Sequence, residues 1–329
     1  MKLQILVPQY KEDESVVKDL LDSIMIQQGI SFDQVGVIIV NDHSDVILAE
    51  EFLNRYYKLD IQYSELSEHK GVSAVRNECL RLASADYIMF CDADDMFYNA
   101  TALWSIFKEI EAGPFDGLYT KFVEEVKDEN GQSVFIYHNN DGTFVHGKVY
   151  NRKFLLDNDI KWNEDLTVHE DSYFNFLAMN VSEGKLRYLD SPIYLWKSNP
   201  NSVCRSDRKY FMLKTYPNLL DSSDALVEEL VKRNKKEQAA QYVVRKILET
   251  YYTLNEGKWL DPENIEYRNK VEERTFQYLF KYQGLWNSVE YKEKIIISNS
   301  IREDCINKGM MMENITFNNW IQDLVDKYR

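Results

Sequence analysis

The chain has 329 residues, enough to bury a sizeable core in one large domain or two smaller ones, and its 44% hydrophobic content is that of a globular protein. No stretch approaches the roughly 18–20 consecutive apolar residues of a membrane span, and the start "MKLQILVPQY" lacks the apolar core of a leader peptide. A net charge of −15 argues against a mainly electrostatic nucleic-acid binder, and four cysteines that never form a C-x-x-C pair indicate neither a zinc site nor a disulfide framework.

The first hundred residues alternate strand-like and helix-like stretches. "LQILVP" (3–8) reads as a strand stopped by Pro8, and 13–29 has helical periodicity ending in Gly29. "VGVIIV" (35–40) reads as a buried strand, 47–57 as a helix, 60–66 as a strand, 72–83 as a helix and "YIMFC" (87–91) as the next strand. Such alternation predicts crossover connections and a mostly parallel sheet covered on both faces, with ligands at the C-terminal strand ends. A helix over 102–113 follows, then strands over 117–126, 133–138 and 143–150, a helix over 171–181, and a strand, turn and strand over 186–196.

From about 206 the pattern is helical, with a polar loop expected at 230–238; Val243, Val244, Ile247, Leu248 and Tyr251 share one face, as do Phe317, Trp320, Ile321, Leu324, Val325 and Tyr328. Residues 1–204 carry 18 Lys and Arg against 34 Asp and Glu, whereas 205–329 carry 21 against 20. That asymmetry predicts two regions with different work, 1–204 and 205–329.

Asp92, Asp94 and Asp95 crowd three carboxylates into four positions at the end of an apolar strand. Like charges so close call for a positive partner, and hard oxygen ligands suit Mg2+ or Mn2+, which also grips a phosphate. "VPQYKEDE" (7–14) and "VNDHSD" (40–45) each follow a strand as well, offering a ring at Tyr10 and an acid at Asp42 to a nucleoside. "HKGVSAVRNECL" (69–80) adds a helix start marked by Gly71 and Ser73, with Arg76 and Asn77 one turn in. Taken singly, these are also what a solvated turn, a helix cap or a surface arginine would show.

In order and approximate spacing, "VPQY", "VNDHSD", "GVSAVRN", "CDADD" and "VHEDSYFN" (168–175) resemble the family 2 glycosyltransferases of the GT-A fold over about residues 1–204. The resemblance implies an α/β domain, GT-A, with a Rossmann-like mixed sheet; the helical C-terminal domain carries no catalytic motif and is expected to recognise the acceptor or form a homo-oligomer, its apolar faces equally suiting a plain packed core. It places Pro8, Tyr10, Glu12, Asp42 and Arg76 along the donor nucleotide, with Asp42 on the base, usually uracil. In the D-x-D motif Asp92 lies near the ribose, Ala93 follows, and Asp94 is the direct ligand of Mn2+ or Mg2+, with Asp95 supporting the loop. Asp171 matches the base of inverting members, and Glu170 binds or orients the acceptor. His146 stands beside the acceptor site where an aromatic residue is common, His169 is a candidate third metal contact besides the donor, and Lys197, Ser202 and Arg205 lie in the segment that closes over the diphosphate.

The expected function is thus an inverting, metal-dependent transfer from a UDP-sugar to an acceptor hydroxyl, as on a wall or surface polysaccharide. Hydroxymethylated phage DNA, a protein side chain or a non-catalytic sugar-nucleotide scaffold are the alternatives, the acidic charge disfavouring nucleic acid. The expected location is the cytoplasm or the inner face of the membrane.

Overall fold

The computed structural model describes residues 1–139, 142–200, 202, 208–307, 309–310 and 317–329. They divide into two compact units, Met1–Pro200 and Asn201–Arg329. The expected boundary at 204 and 205 lies outside the described residues.

In the first unit the elements run β1 (Leu3–Gln9), α1 (Glu14–Met25), β2 (Val35–Asn41), α2 (Glu50–Leu53), β3 (Asp60–Glu65), α3 (Val72–Leu82), β4 (Tyr87–Phe90), β5 (Met96–Phe97) and α4 (Ala102–Glu111). They continue as β6 (Gly117–Lys127), β7 (Ser133–His138), β8 (Lys148–Asn151), α5 (Arg152–Asp157), α6 (Glu170–Val181) and β9 (Leu186–Trp196). One nine-stranded sheet has the order β3-β2-β1-β4-β8-β6-β9-β5, with β7 added to β6.

The β3-β2-β1-β4 half is parallel, as expected. The other half is not: β8 is antiparallel to β4 and β6, β9 returns parallel to β6, and the unforeseen β5 is antiparallel to β9. Leu3, Ile5, Leu6 and Val7 of β1 and Val37 to Val40 of β2 are all fully buried, because helices cover both faces of this central region. Asp13 caps α1 by accepting from the amides of Ser15 and Val16.

Four expected elements differ. The helix over 47–57 shrinks to α2 and a 3-10 turn, Asn54–Tyr56, Ala49 giving no side-chain cap. The strand over 143–150 exists only as β8, because Gly147 takes a positive φ of 68° and turns the chain before it. The two strands over 186–196 are one, whose register skips Asp190 and Ser191 between the Thr120–Leu189 and Lys121–Pro192 pairs; Pro192 has no N–H to extend a regular ladder.

In the second unit the helices are α7 (Arg208–Lys232), α8 (Lys236–Leu254), α9 (Gly257–Leu260), α10 (Ile265–Lys281), α11 (Gln283–Ser288), α12 (Tyr291–Asn307) and α13 (Phe317–Tyr328). The fourth difference lies here: the expected loop at 230–238 is only 233–235, since charged side chains such as Glu229 with Lys232 and Arg233 pair along the helix they were expected to interrupt. Val243, Val244 and Ile247 are fully buried, and Trp320 and Leu324 nearly so, as the apolar stripes require.

Candidate active site

Pairing of β1 with β2 on one side and β4 on the other brings the three polar segments to one edge. Behind β1, the Asp42 carboxylate accepts from the amides of Lys70 and Gly71, both at 2.8 Å, and His69 Nδ1 lies 2.9 Å from its Oδ2. Asp42 therefore builds the loop that opens α3, and Gly71 makes the turn at φ 89° that a side chain would strain. Tyr10 stacks on His69 at 4.6 Å.

Asn41, beside Asp42, is fully buried: its Nδ2 donates to Val46 O and Tyr63 Oη, and its Oδ1 accepts from Ser44 N. A carboxylate would keep the Ser44 amide but set an acceptor against Val46 O, and could take the Tyr63 hydroxyl only by drawing it from Gln9 Oε1. Asn41→Asp should therefore cost about 1–3 kcal/mol in urea denaturation at pH 7, and an unchanged midpoint would show that the amide donors are dispensable.

Arg76 is the hub. Its Nη1 donates to Glu170 Oε1 at 3.0 Å and Asp171 Oδ1 at 2.8 Å, and its Nη2 donates to Asp92 Oδ1 at 3.0 Å. Its guanidinium lies 4.4 Å over the Trp162 ring, a cation–π contact within a buried pocket. Asn77, one position on, holds that tryptophan's loop by exchanging hydrogen bonds with Trp162 O and N and donating to Glu164. One helix start thus joins the D-x-D carboxylate to the Glu170-Asp171 pair.

The electrostatics follow from this placement. Burial works against ionisation of Asp92, but the Arg76 charge overcomes it and holds that carboxyl below its ordinary range. Burial, with Asp171 beside it, pushes Glu170 up to about 7 despite Arg76. Burial also raises Asp171, Arg76 opposing and Asp92 reinforcing the shift. The second Asp171 oxygen accepts from Val145 N at 2.9 Å, and Asn175 Nδ2 holds Phe144 O, so the pair from α6 fixes the 143–147 turn.

In the acidic loop, Asp94 Oδ2 accepts from Asn199 Nδ2 at 2.7 Å, and Asp95 accepts from Tyr194 Oη at 2.6 Å and Lys197 N at 2.9 Å. Burial raises the pKa of both carboxyls, and at Asp95 the neighbouring Asp94 and Asp92 add to it. Glu12 joins them from the loop after β1: burial pushes it up to about 7, helped by the charges of Asp94 and Asp92. Lys197 sends its ammonium to Asp19 of α1 while its backbone serves Asp95.

Asp92, Asp95 and His146 form a group that could hold a cation, their ligand atoms lying within 4.8 Å of one another. His146 is buried at 4% exposure, with its ring stacked 4.8 Å from Tyr194 and close to Phe144, Trp196 and Phe122. Pro8 is half-buried at the end of β1, Ala93 is buried between the two aspartates, and His169 caps α6 in the left-handed region. Arg205 lies outside the described residues. Sequence reasoning missed Trp162, Tyr194, Asn175 and Asn199, whose partners are 31 to 105 residues away; only the aromatic and Asn residues beside the recognised motifs hinted at them.

No helix among the described residues is long and apolar enough to cross a membrane. The family model described as "Glycosyl transferase family 2" matches residues 4–168. The uncharacterized glycosyltransferase EpsJ of Bacillus subtilis is 24% identical over 224 residues, 61% of this chain and 62% of that protein. Poly(ribitol-phosphate) beta-N-acetylglucosaminyltransferase TarS of Staphylococcus aureus is 28% identical over 213 residues, 60% of this chain and 35% of that one. The chain thus spans between a third and two thirds of the length of these relatives. The crystal structure of S. aureus TarS 1-349 in complex with UDP-GlcNAc has a TM-score of 0.63 at 19% identity, covering 94% of this chain and 92% of that one. The same TarS segment in complex with UDP has a TM-score of 0.59, covering 96% and 95%.

Proposed function

Because the chain belongs to glycosyl transferase family 2, and is a glycosyltransferase with a GT-A fold and a helical C-terminal region, we propose that it moves a sugar from a UDP-sugar to a hydroxyl of a wall or surface polysaccharide. The reaction is a single, inverting displacement that depends on a divalent metal. The observation that carries this reading is the Arg76 fork, which holds Asp92 of the donor motif and the Glu170-Asp171 pair on one guanidinium.

Asp171 acts as the general base. Its raised pKa strengthens it as a proton acceptor, and although each of its oxygens accepts one hydrogen bond, each keeps a second lone pair for an acceptor O–H. Glu170 orients the acceptor beside it. Tyr10 and the loop fixed by Asp42 line the nucleoside, with Pro8, Glu12 and Ala93 at its edge.

Oxygen-rich Asp92 and Asp94 suit a hard cation, and the accumulation of carboxylates there with Arg76 as the buried cation favours a second positive charge. Mn2+ or Mg2+ held by Asp94, with Asp92 toward the ribose, would supply Lewis-acid stabilisation of the departing diphosphate. Asp95, tied to Tyr194 and Lys197, fixes the loop, and with Asp92 and His146 it offers the ion a further set of ligand atoms.

The UDP and UDP-GlcNAc in the TarS structures support the donor, and the poly(ribitol-phosphate) acceptor in the TarS name supports a wall polymer. The helical region serves acceptor recognition, and the protein works on the cytoplasmic side, at the inner face of the membrane.

Calorimetry of UDP, GDP, CDP and dTDP, with Mn2+ and then with EDTA, tests the donor site. UDP alone should bind tightly, EDTA should abolish it, and Asp94→Ala should lose the Mn2+-dependent part. Binding of no nucleotide in either condition would overturn the transferase assignment of this site, and unchanged Mn2+ dependence in Asp94→Ala would remove Asp94 as the ligand.

A further inference from the structure

Strand β7 carries a run of exposed apolar side chains: Val134 at 44%, Phe135 at 49%, Ile136 at 39% and Tyr137 at 62% exposure. Alternation should bury one face of a strand, yet here both faces are open to solvent. The strand pairs only with β6, in a register from Phe122–His138 to Lys127–Ser133 that has no bulge, so its outer backbone edge is unpaired among the described residues. It has none of the usual protections of a free edge: no proline, no lysine, no inward charge.

Around it, residues 130–140 contain no Asp, Glu, Lys or Arg, in a chain of which 28% is charged. That absence decides the occupant. A basic or acidic partner would find no complementary charge along this edge, whereas a second copy of the same strand would find none to repel it. We propose that two copies of this chain associate by antiparallel pairing of β7 with β7 across a two-fold axis, extending the sheet through both molecules. With the axis through Ile136, Ile136 faces the partner's Ile136, Phe135 faces the partner's Tyr137 and Val134 faces the partner's His138, each pair on one face of the sheet. Every cross-strand pair is then free of like charge.

The hairpin is held for this role from within. Tyr98 Oη and Tyr137 Oη are 2.6 Å apart, His138 stacks on buried Phe122 at 4.4 Å and meets Glu124 at 2.9 Å, and Glu125 accepts from Ser198 N at 3.1 Å. The last contact ties the edge to the segment whose Lys197 amide holds Asp95. From their fractional exposure, the four side chains offer roughly 400 Å2 per copy, about 800 Å2 in total and smaller than a standard specific interface, so weak, reversible association at tens of micromolar is expected.

Sedimentation equilibrium of the full chain from about 1 to 200 µM should show a monomer–dimer equilibrium. Ile136→Lys should weaken it at least tenfold, and so should Val134→Lys, an independent variant if the first fails to fold; Phe280→Lys, at an exposed site on α10, should leave it unchanged. UDP calorimetry on each variant reports whether the donor domain is intact. A monomer throughout the range overturns the proposal, as does a dimer that both β7 variants retain or that Phe280→Lys abolishes.

Discussion

Replacing Arg76 by alanine is expected to destabilise the fold by about 3–5 kcal/mol and to abolish transfer. Asp92, Glu170 and Asp171 each hold one of its N–H groups at 2.8–3.0 Å, and its guanidinium covers Trp162. Truncation leaves three half- or fully desolvated carboxylates with no counter-charge and a void under an indole. Lysine restores a charge but not a planar fork, so Arg76→Lys should recover only part of the loss.

The sign of the pH dependence is fixed by the same geometry. Glu170 already stands at about 7 and Asp171 above its ordinary value, and Arg76 is an influence that lowers each. Without it both rise further above their unfolded values. A carboxyl raised on folding contributes stability that is present at low pH and lost as pH rises through its folded pKa. Arg76→Ala should therefore be less defective at pH 6 than at pH 8 in urea denaturation. Equal losses at the two pH values, or a loss below about 1 kcal/mol, would show that Arg76 does not neutralise this group.

The parallel half of the sheet was legible in the sequence because its strands are buried on both faces and read as unbroken apolar runs: "VGVIIV" has no other sensible structure. The acidic loop was legible because three aspartates after such a run are costly unless something uses them. The second half was less so. β8 and β9 owe their directions to pairing partners far along the chain, and a propensity pattern carries no direction. The 143–147 turn looked like strand because Phe144, Val145 and His146 favour one; Gly147 and the hydrogen bonds from Asn175 and Asp171 outweigh that preference.

The same division holds within the site. Asp92 and Asp94 stood out by type and spacing, and Glu170 and Asp171 through the family resemblance, but nothing local revealed that one arginine ties Asp92, Glu170 and Asp171 together. Asp42 and Lys197 were expected to face the donor directly. In the structure both also have partners within the protein, the 69–71 backbone and Asp19, which no local sequence pattern announces. The need for an amide at Asn41 is likewise visible only in three dimensions, where its Nδ2 meets the Val46 carbonyl and the Tyr63 hydroxyl.

Asp171→Asn should retain UDP binding and lower kcat by 10^2 to 10^4, the range for removal of a general base. The substitution is not sterically silent in this structure, and that sharpens the test. Both partners of the carboxylate, Arg76 Nη1 and Val145 N, are donors, so one orientation or the other sets the new amide NH2 against an N–H. About 1–3 kcal/mol of stability should be lost with it, mostly as a loosening of the 143–147 turn. A purely structural role for Asp171 would show the stability loss with a proportionate fall in transfer and no change in pH profile. The base role predicts more: wild-type kcat falls as pH drops through the raised carboxyl pKa, because the base must be ionised, and the residual activity of Asp171→Asn loses that limb. If the variant transferred sugar at a similar rate, the proton would have to leave by another route, with Glu170 the next group to test.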